Sequence, residues 1–319
     1  MQGKKVLVTG GAGFIGSHVA EAYLARGCRV WILDDLSTGR RSNIPEGAEF
    51  VEASVASSAV RDLFSDAGGF DIVSHHAAQI DVRKSVADPL FDAMVNIDGL
   101  LTIVEAGREF GMGRFIFISS GGVVYGEPEV LPTPESAPKL PLSPYGVSKL
   151  ASEQYLYYYH RVHGIEYVAL RYANVYGPRQ DPHGEAGVVA IFSQRLLRGE
   201  KLIIYGDGEQ TRDYVFVGDV VRANLLVSEA AIAPGNSLDS RAFNVGTGIG
   251  TSVNRLAAAL AKISEREVPI EHAPDRRGEL RHSSLAVDKL VGLGWISRTS
   301  LPDGLAQTYE YIAAKEAGQ

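Results

Sequence analysis

Lys5-Val6-Leu7-Val8-Thr9-Gly10-Gly11-Ala12-Gly13-Phe14-Ile15-Gly16-Ser17-His18 reads as a buried strand, a glycine turn and the start of a helix. Val6 to Val8 form the short apolar run of a central parallel strand, covered on both faces. Glycines at 10, 13 and 16 let the backbone turn sharply and approach a pyrophosphate, and the helix that follows aims its N-terminal amides at that anion. Glycine-rich loops are common turns in their own right. The strand before this one and the helix after it make Gly10, Gly13, Phe14, Ile15 and Gly16 candidates for holding a dinucleotide. The helix carries Val19, Ala20, Tyr23 and Leu24 at helical spacing and closes at Gly27, after which Val30-Trp31-Ile32-Leu33 reads as a second strand. Asp34 ends that strand about twenty residues past the glycine loop, where an acid accepts hydrogen bonds from the adenine ribose. Asp34 therefore predicts NAD rather than NADP, and the absence of an Arg directly after Leu33 agrees. The alternative is a turn carboxylate, since Asp35 and Ser37-Thr38-Gly39 follow.

The chain has 319 residues, 45% of them hydrophobic, enough for about two domains with a sizeable core. A formal net charge of −7 argues against a nucleic-acid partner, whose usual footprint is a basic face. Cys28 is the only cysteine, which excludes an intramolecular disulfide and a cysteine-based metal cluster and fits a reducing compartment. The N-terminus passes through lysines straight into the first strand without the apolar region of a signal peptide, and no apolar run reaches membrane-spanning length. The expectation is a cytoplasmic protein with neither a metal nor a membrane partner.

Apolar runs at Val6 to Val8, Val30 to Leu33, Phe50 to Val51, Ile72 to Val73, Phe115 to Ile118 and Tyr167 to Leu170 alternate with helical patterns. This alternation predicts an α/β fold, a Rossmann-type doubly wound parallel sheet. Beyond about residue 176 the texture changes to loops rich in Gly, Pro and charge, with short strands such as Leu202 to Tyr205 and helices such as Val253 to Ile263. The expected organisation is a dinucleotide-binding domain over 1–175 and a smaller, partly interleaved domain over 176–319. Segments near 213–226 and 243–248 return to the first domain.

Tyr145-Gly146-Val147-Ser148-Lys149 follows the Pro-rich stretch from Pro132 to Pro144 and opens a helix that continues through Leu150, Glu153, Leu156 and Tyr159. Four residues apart, Tyr145 and Lys149 share one face. A free phenol ionises near pH 10 and is a poor base at neutrality, whereas a neighbouring ammonium and a positive nicotinamide favour its charged form. The spacing by itself arises often by chance, and Tyr155, Tyr157, Tyr158 and Tyr159 read as packing residues of the same helix. Downstream of a glycine loop and of the strand end at Ser119-Ser120, Tyr145 and Lys149 are the candidate catalytic pair.

Taken together, TGGAGFIGSH at 9–18, DDLSTG at 34–39, HHAAQIDVRKSV at 75–86, SSGGVVYG at 119–126, YGVSK at 145–149, RYANVYGPRQ at 171–180, GDGEQTRDYVFVGD at 206–219, FNVGTG at 243–248 and RRGEL at 276–280 span nearly the whole chain. In number and order they resemble the UDP-glucose 4-epimerase group of the extended short-chain dehydrogenase/reductase superfamily. The resemblance implies NAD as cofactor, with Asp35, Ser37, Thr38 and Gly39 beside Asp34 on the adenosine side and Ala77, Ala78 and Gln79 along the nicotinamide. It also implies that Asn96, Ser119 and Tyr172 complete the pocket. A UDP-sugar is the implied substrate, with Asn174, Arg212 and Arg276 holding its diphosphate, in keeping with the fork by which guanidinium grips phosphate. In the implied mechanism Tyr145 removes the proton of the 4-hydroxyl while NAD accepts the C4 hydride. The keto-sugar then turns about its pyrophosphate linkage, and both return to the opposite face. Relatives of this kind pair as homodimers through helices like those at 92–110 and 146–163. The competing readings are a 4-epimerase of UDP-glucuronate or a UDP-pentose, and a non-catalytic NAD-binding sensor.

Several positions depart from the group's pattern. Where many members carry a Ser or Thr that touches the sugar, four residues before the Tyr of VYG, this chain has Gly121, so Ser120 or Ser119 is the expected source of the hydroxyl. The position two before that Tyr is Val123, not the Glu that serves dehydratases and decarboxylases, which leaves simple epimerisation. After the third strand the chain reads Glu52-Ala53-Ser54-Val55, with Ser54 and Val55 expected against the adenine in place of an Asp. Glu279 replaces the commoner Asp towards a ribose hydroxyl. Ser283 stands where a bulky Tyr closes the sugar pocket of glucose-only members, which predicts acceptance of UDP-GlcNAc and UDP-GalNAc.

Overall fold

The computed structural model describes residues 1–182, 187–275 and 280–318. Strands β1 (Lys5–Thr9), β2 (Arg29–Asp34), β3 (Glu49–Glu52), β4 (Phe70–His75), β5 (Met112–Ser120) and β6 (Glu166–Tyr172) follow the apolar runs of the sequence. They are joined by helices α1 (Phe14–Ala25), α2 (Ala59–Ala67), α3 (Val82–Ala87), α4 (Pro89–Ala93), α5 (Gly99–Phe110), α6 (Gly121–Val124) and α7 (Pro144–His163). A π-helical turn, Met94–Asp98, links α4 to α5.

The chain continues through β7 (Asn174–Tyr176), α8 (Val188–Arg198), β8 (Leu202–Tyr205), β9 (Thr211–Phe216), α9 (Val217–Glu229), β10 (Ala242–Val245), β11 (Gly250–Ser252), α10 (Val253–Ser264), β12 (Ile270–Ala273), α11 (Asp288–Val291) and α12 (Leu301–Ala317). Seven strands form one parallel sheet in the order β10-β6-β5-β4-β1-β2-β3. The strand order reverses between β1 and β4, and in open sheets of this kind ligands bind at such a crevice, outside the carboxyl ends of the strands.

Alternation along the strands explains the layers. Val6, Val8, Val30, Ile32, Ile116, Val168 and Leu170 pack with α1 and α9 on one face. Leu7, Trp31, Leu33, Phe115, Phe117 and Tyr167 pack with α2, α5 and α7 on the other. Both faces are covered, so these strands are continuously apolar. A third core, including Tyr176, Phe192, Leu196, Ile204, Leu256 and Leu305, lies beyond residue 175 among α8, α10, α12 and the three-stranded sheet β11-β9-β7. From beyond residue 175 the chain also returns to the large sheet: α9 packs on α1, and β10 pairs with β6, Phe243 beside Leu170.

Candidate active site

Gly10 has φ +67°, and a Cβ there would lie 2.6 Å from the Ala77 backbone nitrogen. A Cβ on Gly16 would lie 2.2 Å from the Gly10 carbonyl oxygen, so the first turn of α1 sits directly against the loop. Only glycine fits at either place. The N-terminal amides of α1 receive no side-chain cap. They are the donors an anion at this end of the helix would use. Thr9 holds the facing loop: its Oγ1 accepts the Ala77 N–H at 3.2 Å and lies 2.9 Å from His75 Nδ1.

Asp34, buried at the end of β2, accepts the Ala12 N–H at 3.0 Å on one oxygen and the Leu36 N–H at 2.9 Å on the other. It is thus a turn carboxylate and also a tie between β2 and the glycine loop. Each oxygen retains a lone pair for a further donor such as a ribose hydroxyl. Burial pushes its pKa up, against the two backbone hydrogen bonds. Asp35 accepts the Ser37 N–H, Gly39 packs between Asp34 and Ala12, and Ser54 Oγ accepts the Ala56 N–H. Val55 is buried against Gly99. The segment after β7 docks on α1. His18 Nε2 meets the Pro178 carbonyl, Arg179 reaches Ser17 and Glu21, and Arg40 pairs with Asp181.

Helix α7 begins where the sequence dictates, with Ser143 capping the Gly146 N–H and Pro144 in the first turn. Its first turn carries Tyr145, whose backbone N–H is held by Ser85 Oγ of α3 at 3.2 Å. Lys149 Nζ lies 5.8 Å from the Tyr145 ring centre and 4.9 Å from that of Phe117 on β5. Both residues are buried, and desolvation pushes the Lys149 pKa down to about 8, opposed by Asp92 and Glu153. His75 and His76 are pushed down by burial to about 3 and stand neutral beside it.

The two serines that end β5 differ. Ser119 Oγ donates to Glu153 Oε1 at 2.5 Å, and Glu153 is paired with Arg171 at 2.6 Å in a buried ion pair. The Ser119 hydroxyl is therefore committed to α7. Ser120 Oγ makes no hydrogen bond among the described residues, so of the two it is the one available to a ligand. At Gly121 a Cβ would meet Leu285 Cδ1 at 2.5 Å, so a leucine fills the space that a side chain at 121 would occupy. Tyr172 is buried in the α1-side core, where its hydroxyl accepts from Asn224. Asn96, in the π-helical turn, donates to the Gln79 carbonyl and to Asp92 and accepts the Gln79 N–H, so its amide holds the 77–79 loop.

Asn174 and Arg212 lie on neighbouring strands of the small sheet, Asn174 in register with Tyr214, two residues beyond Arg212. Asp213 fixes this region by accepting the Thr247 N–H and hydroxyl and the N–H groups of Gly248 and Leu285. Ser283 is buried, its N–H on the Thr211 carbonyl. Arg276 and Glu279 lie outside the described residues. The residues that sequence reasoning missed are Asp92, Asp213, Ser85 and Leu285. Ser85 and Asp213 stood inside the stretches quoted above without being singled out, and Asp92 left only its spacing of four from Asn96.

Residues 6–246 match the model of the NAD dependent epimerase/dehydratase family. Among solved structures, the chain is similar to UDP-glucose 4-epimerase with UDP-glucose from Thermotoga maritima, at 46% identity and TM-score 0.93, covering 98% of this chain and 99% of that one. It is similar to UDP-glucose 4-epimerase from Thermus thermophilus in complex with NAD, at 43% identity and TM-score 0.90, covering 96% and 98%. A third similar structure is UDP-N-acetylglucosamine 4-epimerase from Methanobrevibacter ruminantium in complex with UDP-N-acetylmuramic acid. It shares 34% identity, with TM-score 0.92 and coverage of 99% and 100%.

Proposed function

This chain belongs to the NAD dependent epimerase/dehydratase family, and from that membership we propose that it inverts C4 of a UDP-hexose, interconverting UDP-glucose and UDP-galactose. The observation that carries the reading is the buried Tyr145–Lys149 pair on α7, with the β5 strand end beside it and the glycine cradle on the same sheet. NAD fits that cradle because Gly10, Gly13 and Gly16 leave space that any Cβ would occupy or crowd, and because Asp34 keeps lone pairs for a ribose. When bound, it supplies an acceptor and donor of hydride at the sugar carbon, without net oxidation.

The remaining chemistry falls to the chain. Tyr145 takes the proton of the 4-hydroxyl and returns it once the sugar presents its other face. Lys149 stabilises the negative charge on the Tyr145 oxygen, and Ser120 donates to the sugar oxygen. Asn174 and Arg212 hold the diphosphate about which the sugar turns, with Arg276 and Glu279 assigned to the same nucleotide. Ser119, Asn96 and Tyr172 act through the residues they hold. Ser283 is small and buried, and this supports UDP-GlcNAc and UDP-GalNAc as additional substrates.

The chain is further proposed to be a cytoplasmic homodimer. Val147, Tyr155, Tyr158 and Val162 share one exposed face of α7, beside the exposed Leu90 and Met94, a continuous apolar surface that a second copy would cover. No helix among the described residues is long and apolar enough to cross a membrane.

The test is incubation with a panel of UDP-sugars followed by NMR of the products. UDP-galactose is expected to yield UDP-glucose with deuterium at C4 retained in the nucleotide sugar. Loss of the label to solvent, or inertness towards every UDP-hexose, counts against the proposal.

A further inference from the structure

Asp92, on α4, is completely buried. Its Oδ1 accepts from Gln79 Nε2 at 2.9 Å and from Asn96 Nδ2 at 3.0 Å, and its Oδ2 accepts from Ser148 Oγ at 2.7 Å. The orientation of both amides is fixed by backbone donors: Gln79 Oε1 accepts the Asp81 N–H, and Asn96 Oδ1 accepts the Gln79 N–H. Their NH2 groups therefore point at Asp92, whose two oxygens accept from three side-chain donors. The carboxylate joins three elements of the site. These are the 77–79 loop, the π-helical turn and the residue preceding Lys149 on α7.

The charges facing Lys149 can be named element by element. From its own helix come Tyr145 and Glu153, from the end of β4 and the residue after it the neutral His75 and His76, from β5 the ring of Phe117, and from α4 Asp92. The charge of Glu153 is neutralised by Arg171, which grips it through Nε and Nη2. That leaves Asp92, among the described residues, as the carboxylate that faces, without a cationic partner of its own, a lysine that burial drives towards neutrality.

We propose that Asp92 is a positioning residue for the proton transfer at Tyr145, its carboxylate keeping Lys149 an ammonium and clamping the 77–79 loop in one arrangement. This rests on the epimerase reading above, and it separates two roles that D92N distinguishes. An Asn can keep its oxygen on Gln79 and Asn96 and turn its NH2 to the Ser148 hydroxyl, which is able to accept. Geometry is then preserved and the charge is lost. S148A does the reverse, weakening the clamp while the charge stays.

The experiment is the pH dependence of kcat and KM for wild type, D92N and S148A with UDP-galactose, beside 13C NMR of the Asp92 carboxyl and the Lys149 ε-carbon. For D92N the alkaline limb of kcat is expected to move down by about one pH unit, roughly a fivefold loss at pH 8 relative to wild type, with KM little changed. The Lys149 ε-carbon should titrate lower by the same amount, and S148A should move neither. A D92N profile or Lys149 titration that coincides with wild type overturns the inference, as does an equal shift in S148A. Should D92N fail to fold, the wild-type carboxyl signal decides: an ionised Asp92 at pH 7 is required, and a protonated one refutes it. Wild type inert towards UDP-galactose would instead sink the epimerase reading, and the NMR titrations would still judge Asp92.

Discussion

Replacing Lys149 with Met removes the ammonium 5.8 Å from the Tyr145 ring while keeping an unbranched side chain in the same buried slot. With an effective dielectric constant of about 20, a unit charge at that separation stabilises a charge on the ring by about 3 kcal/mol. If Tyr145 must carry that charge in the transition state, turnover falls by about a hundredfold. Stability moves the other way. Burial holds the Lys149 pKa at about 8, below its ordinary 10.5, so the folded state binds fewer protons than the unfolded one between those values. Stability therefore climbs as pH rises through that window, and the cost of burying the charge is fully present below it. The Lys149→Met variant escapes a cost of at most about 3 kcal/mol at neutral pH.

The assay pairs UDP-galactose turnover, followed by NMR, with thermal unfolding at pH 7. Lys149→Met is expected to be about a hundredfold slower and more heat-stable than wild type, with the rate deficit narrowing in alkali. Turnover within a few-fold of wild type, in a variant that binds substrate normally, would refute the role given to the ammonium.

Other outcomes follow from the same geometry. Ser120→Ala should lower kcat about tenfold with an unchanged Tm, whereas Ser119→Ala, which strips a donor from buried Glu153, should cost about 1–2 kcal/mol in denaturant unfolding. Gly16→Ala sets a methyl against the Gly10 carbonyl, so NAD binding by calorimetry should be lost or weakened at least tenfold, with a lower Tm. Gly121→Ser should destabilise the protein by about 1–3 kcal/mol by crowding Leu285. Part of that cost should vanish when Leu285→Ala is added, a non-additivity that a double-mutant cycle in urea would measure. Val162→Glu on the exposed face of α7 should shift the mass found by light scattering from dimer to monomer, and a wild-type protein that is monomeric at every concentration would refute the homodimer.

The sequence by itself determined the parallel sheet, the glycine cradle and the Tyr145–Lys149 pair. Each is written locally: an apolar run buried on both faces, glycines whose conformation and closeness exclude a Cβ, and two side chains one helical turn apart. Tertiary structure alone decided which partner each polar group takes, because those partners are far apart along the chain. Ser119 and Ser120 are adjacent and chemically alike, yet only Ser119 reaches Glu153, 34 residues on, and so only Ser120 keeps a hydroxyl to offer. Asp34 turned out to hold a turn at Leu36 and to tie β2 to the glycine loop at Ala12, and Asn96 to act on the 77–79 loop through Gln79. Leu285 fills the space at Gly121 from 164 positions further along, and Asp92 gathers Gln79, Asn96 and Ser148 from three separate segments. Periodicity records which face of an element is buried, but the hydrogen-bond partner of a buried carboxylate is fixed only when distant segments pack.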